Sequence, residues 1–305
     1  MMKVTELQQK ITAALPAIKM LMWEPMSRHT SFAIGGAAEV MAFPENAGQL
    51  AEILKFSSEN SIRYAILGAG TNILAPDEGI SGIIICLKDC LDGMERLENN
   101  RIRVFAGVTM ARAAVYAAGL GLGGMEFAHG IPGTVGGGVY MNAGAYGGEI
   151  VQICESVDVM LPGGNIVTYS CDQMDFSYRH SRLEEEPGIV ISTVFALTPK
   201  PEEEIRTQMR ELLNKRKASQ PLDLPSAGSA FKRPVGGFAA ALIDQAGLKG
   251  FQVGGAAVST KHAGFVVNVG NATAADVLTL LSQVADQVYD FSGIRLEPEI
   301  RLWRP

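Results

Sequence analysis

The sequence predicts an α+β protein with more than one domain, and three observations carry that expectation. Strand-like and helix-like runs are intermixed along the chain without a regular βαβα repeat. At 305 residues the chain exceeds the usual size of one domain. Composition also shifts at Pro199-Lys200-Pro201, where a charged helical run (EEEIRTQMRELLNKRK) begins, so a boundary is expected there, dividing residues 1–200 from 201–305.

Each element has its local reason. The opening run MMKVTELQQKITAALPAI lacks a continuous apolar stretch and reads as a short amphipathic helix, not a secretory signal. Pro44-Glu45-Asn46 starts a helix whose apolar stripe is Leu50, Ile53 and Leu54. Residues 63–67 (RYAIL) and 82–87 (GIIICL) read as strands. A helix follows Thr109, a good N-cap, and is expected to stop at Gly119 as its C′ residue. Strand-like runs follow at 156–161, 165–169 and 188–197. The charged helix turns Ile205, Met209, Leu212 and Leu213 inward. Beyond it come a loop over 220–229, a small apolar helix over 238–246 closed by Gly247, and strands near 253–258 and 264–269. A long helix then runs from Thr273 to about Asp290, with Val277, Leu278, Leu280, Leu281, Val284, Ala285 and Val288 on a wide buried face.

Composition excludes several functions. With 47% apolar and 19% charged residues the chain is core-rich and globular, not disordered. A formal charge of −6 argues against a nucleic-acid partner, which calls for a basic domain. No run reaches the ~20 apolar residues of a membrane span. Cys86, Cys90, Cys154 and Cys171 form no C-x-x-C pair and have no histidine at zinc spacing, so reduced thiols and no metal are expected. A cytoplasmic protein, with a monomer as the default, follows from these expectations.

Glycine is the outlier. Twelve of the thirty residues from Gly119 to Gly148 are glycine, yet Met125, Phe127, Ile131, Val135, Val139, Tyr140 and Met141 lie between them, which a flexible tether would not retain. Such density lets backbone pass close to something bulky and flat, or lets amides converge on an anion. Gly68-Ala69-Gly70-Thr71-Asn72 follows a strand but fails as a dinucleotide fingerprint, because the third glycine would fall at Ile73 and no helix follows. By itself it is also an ordinary tight turn. Paired with Gly130-Ile131-Pro132-Gly133-Thr134-Val135-Gly136-Gly137-Gly138, it offers two hydroxyl-bearing glycine turns, which suit a diphosphate on a long flat ring system.

His29, His129, His180 and His262 show no metal spacing, although His129 lies within the glycine-rich run. Tyr178-Arg179-His180-Ser181-Arg182 packs two arginines into five residues, and 225–234 (PSAGSAFKRP) sets small residues beside a basic pair. Residues 295–302 alternate, so as a strand they would place Arg295, Glu297, Glu299 and Arg301 on one face; a solvated strand face is the ordinary meaning of that pattern.

Taken together, HTSFAIGG (29–36), LGAGTNIL (67–74), GIPGTVGGGVYMNAGAYGGE (130–149), SYRHS (177–181), PSAGSAFKRP (225–234) and LEPEIR (296–301) resemble the UDP-N-acetylenolpyruvoylglucosamine reductases, in family order and over nearly the whole chain. The first three are shared with the wider vanillyl-alcohol-oxidase-like flavoproteins; the last three separate the reductases from them. The length and the PSAGSAFKRP loop resemble the shorter, type II branch, which lacks a tyrosine-bearing insertion.

The resemblance implies an FAD-binding region of the PCMH type up to about residue 200, made of two α+β subdomains with a break near 88, followed by an α+β substrate-binding domain. It implies non-covalent FAD, NADPH as hydride donor and a UDP-sugar substrate whose enolpyruvyl ether becomes a lactyl ether in peptidoglycan synthesis. By motif match Ser229 is the proton donor, while Arg179 and Glu299 polarise the substrate carboxylate. The FAD contacts implied are Ile34, Gly35, Gly68, Ala69, Gly70, Thr71, Asn72, Gly130, Pro132, Gly133, Thr134, Gly137, Asn142 and Ala145. Tyr178, Lys232, Arg233 and Arg301 are expected at the substrate, Lys232 and Arg233 also as tuners of Ser229, and Arg216, Lys217 and Gln220 at its diphosphate.

Two other functions stay open at this stage. One is an oxidase of the wider flavoprotein class with FAD attached through a histidine, for which His29 and His129 are available. The other is a flavin electron-transfer subunit, which would leave the hundred or so residues after Pro201 without a purpose.

Overall fold

The computed structural model describes residues 5–88 and 90–303, and the chain packs into two compact units. Unit 1 takes the residues up to Met22, Val40–Ala69 and Gly82–Lys215; unit 2 takes Trp23–Glu39, Gly70–Ser81 and the chain from Arg216 on. The units therefore do not part at 200/201. Ile205 and Met209 on the helix Glu202–Ser219 are buried in the core of unit 1, and this keeps the first turns of that helix with it. Phe32, Ile34 and Leu74 instead join the core of unit 2. The mixture of helices and antiparallel and parallel strands is α+β.

In unit 1 the helix Glu6–Ala14 opens on a capping box between Thr5 and Gln8; residues 1–4 of the expected helix lie outside the described residues. Strands Lys19–Pro25, Ala37–Phe43, Ile80–Cys86 and Tyr64–Leu67 form a sheet in that order, the last two parallel. Asn46 caps the helix Ala47–Glu59 through Gln49 N, and the expected stripe Leu50, Ile53 and Leu54 is buried. A second, antiparallel sheet runs Ile166–Ser170, Cys154–Met160, Ile189–Ala196, Arg101–Phe105 and Met94–Leu97. Thr109 caps Met110–Gly119 as expected, but Gly119 is still helical; Gly121, at φ +69°, is the glycine that turns the chain away.

Unit 2 is a four-stranded sheet, Ser226–Ser229, Phe265–Asn268, Ala256–Val258 and Gln252–Val253, with helices Ala239–Gln245 and Ala274–Ser292 supplying much of its core. The single strand expected over 253–258 is a hairpin, turned at Gly254-Gly255, where Gly254 takes φ +52°. Thr273 caps the long helix and Gly293, at φ +70°, ends it. The strand expected over 295–302 is also corrected. Only Arg301–Leu302 is a strand, parallel to Ile73–Leu74, because Pro298 has no N–H to give a ladder. Residues before it make a looser extended pairing with 230–232 through an isolated bridge between Phe231 and Pro298.

Among the described residues no helix is long and apolar enough to cross a membrane, and no three His, Cys, Asp or Glu side chains gather as a metal site would need.

Candidate functional site

Unit 1 folds the glycine-rich run into a surface made largely of backbone. Thr109 and Thr134 form an isolated bridge, Met110 N donates to Gly133 O (3.0 Å), Val135 N to Val108 O (2.8 Å) and Gly136 N to Ala106 O (2.9 Å). Glycine permits that seating: a Cβ on Gly136 would lie 2.9 Å from Ala106 Cβ, and one on Gly138 2.9 Å from Met110 Sδ. Thr134 caps the short helix Val135–Tyr140 by accepting from Gly137 N (3.4 Å). Its hydroxyl also faces Gly68, where an added Cβ would come within 2.7 Å. Gly68, Gly133, Thr134 and Gly137, expected together from the sequence, therefore meet. Gly130 and Pro132 lie on the same loop, with Pro132 exposed.

Asn142 is also here, in a different capacity. Buried at φ +42°, it donates through Nδ2 to Glu149 Oε2 (3.2 Å) and Ser177 O (3.0 Å) and accepts at Oδ1 from Val151 N (3.0 Å). Both amide hydrogens are thus committed to protein, so its side chain clamps the loop. Glu149, its partner, closes the 130–149 motif, but nothing in the sequence pairs it with Asn142. Strands Gly144–Ala145 and Gly148–Glu149 are joined by Tyr146 and Gly147, both at positive φ, the type I′ hairpin pattern. Beside this hairpin stands Arg179. It occupies the left-handed tip (φ +57°) of a turn closed by paired Ser177 and His180, with its guanidinium 5.0 Å from the Tyr178 ring centre and Nη2 donating to Gly144 O (3.4 Å). His129 holds its Nδ1 buried without a protein partner, and burial lowers its pKa, leaving the imidazole neutral.

Unit 2 gathers the remaining motifs. An added Cβ on Gly70 (φ +63°) would collide with the His29 carbonyl, and Gly70 O accepts from Ser31 N (3.0 Å), so this turn and the HTSFAIGG segment pack together. Ile34 is a buried core residue and Gly35, at φ +126°, sits against Ala75 and Met26. His29 Nε2 lies 2.9 Å from Glu24 Oε1, a pairing no motif announced. Thr71 is half-buried, and Ala69 ends the unit 1 segment.

Ser229 is exposed at the end of its strand, after Gly228 at φ +79°. The chain next to it is held by Ala230 N to Gly264 O (2.8 Å) and by Glu299 N to Ala230 O (2.9 Å). Ser229 and Glu299 thus lie on adjoining extended segments. Arg301 follows, its N donating to Asn72 O (2.9 Å). The two expected tuners of Ser229 are otherwise engaged: Lys232 Nζ reaches Glu297 Oε2 (3.4 Å), and the Arg233 guanidinium stacks 4.1 Å from the Phe238 ring centre. Arg216, Lys217 and Gln220 gather at the end of the helix Glu202–Ser219, where Gln220 N donates to Arg216 O (2.8 Å) and Lys261 Nζ to Lys217 O (2.7 Å).

Comparison with known proteins adds independent findings. The family described as FAD binding domain matches residues 38–170, and that described as UDP-N-acetylenolpyruvoylglucosamine reductase, C-terminal domain, matches residues 220–303. A UDP-N-acetylenolpyruvoylglucosamine reductase of Agathobacter rectalis is 44% identical over 305 residues, covering 96% of this chain and 97% of its own. One from Caldanaerobacter subterraneus is 44% identical over 296 residues, covering 97% of each chain. The crystal structure of the Thermus caldophilus enzyme, 34% identical, superposes with a TM-score of 0.77 over 94% of this chain and 99% of that one.

The residues of unit 1 fit FAD. Gly68 lets its backbone lie against the Thr134 hydroxyl closer than a side chain would allow, Gly133 holds φ +136°, and His129 Nδ1 keeps a hydrogen-bonding position unmet by protein.

Proposed function

This chain belongs to the UDP-N-acetylenolpyruvoylglucosamine reductase family, and we infer from that membership that it reduces the enolpyruvyl ether of UDP-N-acetylenolpyruvoylglucosamine, giving UDP-N-acetylmuramate for peptidoglycan synthesis. The structural observation that best supports the reading is the adjoining placement of Ser229 and Glu299, fixed by the bond from Glu299 N to Ala230 O (2.9 Å).

FAD, which the glycine surface around Gly68, Gly133, Thr134 and Gly137 would hold, would supply the hydride for the β-carbon of the enolpyruvyl group, with NADPH as its reductant. The protein's own residues then handle charge and proton. Negative charge develops on the α-carbon and the substrate carboxylate and calls for a fixed cation and an acid. The Arg179 guanidinium, already oriented over Tyr178, supplies a planar fork that suits a carboxylate. Ser229 Oγ, exposed, delivers the proton to the α-carbon, and Glu299 joins in polarising the carboxylate. Arg216, Lys217 and Gln220 offer cations and an amide to a diphosphate, and Arg301 extends the polar segment that carries Glu299.

The test is the second half-reaction. With the flavin of Ser229→Ala first reduced by NADPH, reoxidation by the enolpyruvyl substrate is expected to slow by about 10²-fold or more, the usual worth of a positioned proton donor, with FAD retained. Reoxidation at the unmodified rate overturns the assignment of Ser229.

A further inference from the structure

Asn72 joins the glycine turn of residues 68–72 to the segment that carries Glu299. The parallel pairing of Ile73–Leu74 with Arg301–Leu302 begins with Arg301 N donating to Asn72 O (2.9 Å), followed by Trp303 N to Leu74 O (3.0 Å). One step further back, the rung is made by the Asn72 side chain, whose Nδ2 donates to Glu299 O (3.3 Å). Asn72 thus holds both flanks of Ile300, a buried residue that anchors the segment in the core of unit 2. On its other side Glu299 N is held by Ala230 O, next to Ser229. Glu299 therefore has its N–H and its C=O each fixed by a different segment.

We propose that Asn72 is a positioning residue for Glu299: its side-chain amide supplies the ladder rung that sets the Glu299 backbone in register with Ser229. The rung needs a side-chain donor at this position. Aspartate has nearly the same shape but offers two acceptors to a carbonyl, and a lost hydrogen bond becomes a repulsion. The proposal rests on the reading that Glu299 works in the reduction, and it deepens that reading by naming what holds the residue in place.

The test uses Asn72→Asp and Asn72→Ala, each alone and combined with Glu299→Gln. Two readouts are needed. Hydrogen–deuterium exchange of the flavin-free protein reports the rung itself: faster exchange is expected in the segment 297–303, with little change over the helix Ala274–Ser292. Anaerobic stopped-flow reports the consequence: reoxidation by the enolpyruvyl substrate is expected to fall about tenfold in Asn72→Asp and less in Asn72→Ala. With Glu299→Gln already present, either change is expected to add less than twofold, since the two act as one unit. Fully additive losses in the double variants, or unchanged exchange in 297–303, overturn the proposal. If the unmodified enzyme is not reoxidised by the substrate at all, the proposed function fails, while the exchange experiment still decides whether the rung exists. Should Asn72→Asp not fold, Asn72→Ala carries the same cycle.

Discussion

The glycines of the run 130–148 and those of the loop 225–238 are the same residue used in opposite ways. In the first, glycine lets the backbone approach neighbouring side chains: Gly136 rests on Ala106, Gly138 on Met110, Gly144 on Glu149 and Gly148 on Phe127, each closer than a Cβ would allow. In the second, Gly228, Gly236 and Gly237 have nothing within 4 Å of an added Cβ, and Val235 between them is 98% exposed. The first region is a fixed backbone surface suited to a cofactor of constant shape. The second leaves open space around its glycines close in sequence to Ser229, the proposed proton donor. Local composition alone does not separate the two; what each glycine touches does.

Substitution breaks or sharpens the comparison. The largest effect is expected at Gly148→Ala, where the new Cβ collides with the buried ring of Phe127. Overpacking of that kind costs about 1–3 kcal/mol, so the melting temperature falls by several degrees and FAD retention with it. Gly236→Ala is intermediate: space is open, but φ +83° strains any side chain, at roughly 1–2 kcal/mol. Gly237→Ala meets neither obstacle and is expected within about 0.5 kcal/mol of the unmodified protein. Thermal unfolding of the three variants checks the order, and a loss in Gly237→Ala equal to that in Gly148→Ala would dissolve the distinction.

A smaller effect belongs to pH. Burial lowers the pKa of His129, so the unfolded chain binds its proton more readily than the folded one. The stability this histidine contributes is whole above the ordinary imidazole pKa and declines as pH falls below it towards the lowered value. His129→Gln is expected to flatten the loss of stability between about pH 7 and pH 5; the slope that remains contains the contribution of His262, lowered in the same way. An unchanged slope would mean that His129 is solvated in the folded protein.

Much of the fold was legible because its causes are local. Asn46 with Leu50, Ile53 and Leu54, and Thr273 with Val277, Leu280 and Leu281, state a cap and a buried face within a few residues. What was missed depends on distant partners. Nothing local in Phe32, Ile34 or Leu74 says which core they join, so the interleaving of the units was invisible. The alternation of 295–301 was real, but the missing N–H of Pro298 outweighs it. The Val253–Val258 run hid a turn because its two flanks are equally apolar. At the site, the glycines, Arg179, Ser229 and Glu299 are the candidates that the motifs supply. Glu24 and the grip of Asn72 on Glu299 lie outside them, since a hydrogen bond across 227 positions leaves no mark in spacing.

The central claim is that this chain holds FAD and passes reducing equivalents to an enolpyruvyl UDP-sugar. The most direct measurement is the visible spectrum of the purified protein, recorded anaerobically before and after NADPH and again after UDP-N-acetylenolpyruvoylglucosamine. A flavin band that bleaches with NADPH and returns with the sugar nucleotide is the expected result. A band that returns only with oxygen, or protein that stays colourless and takes up no added FAD, would contradict the claim.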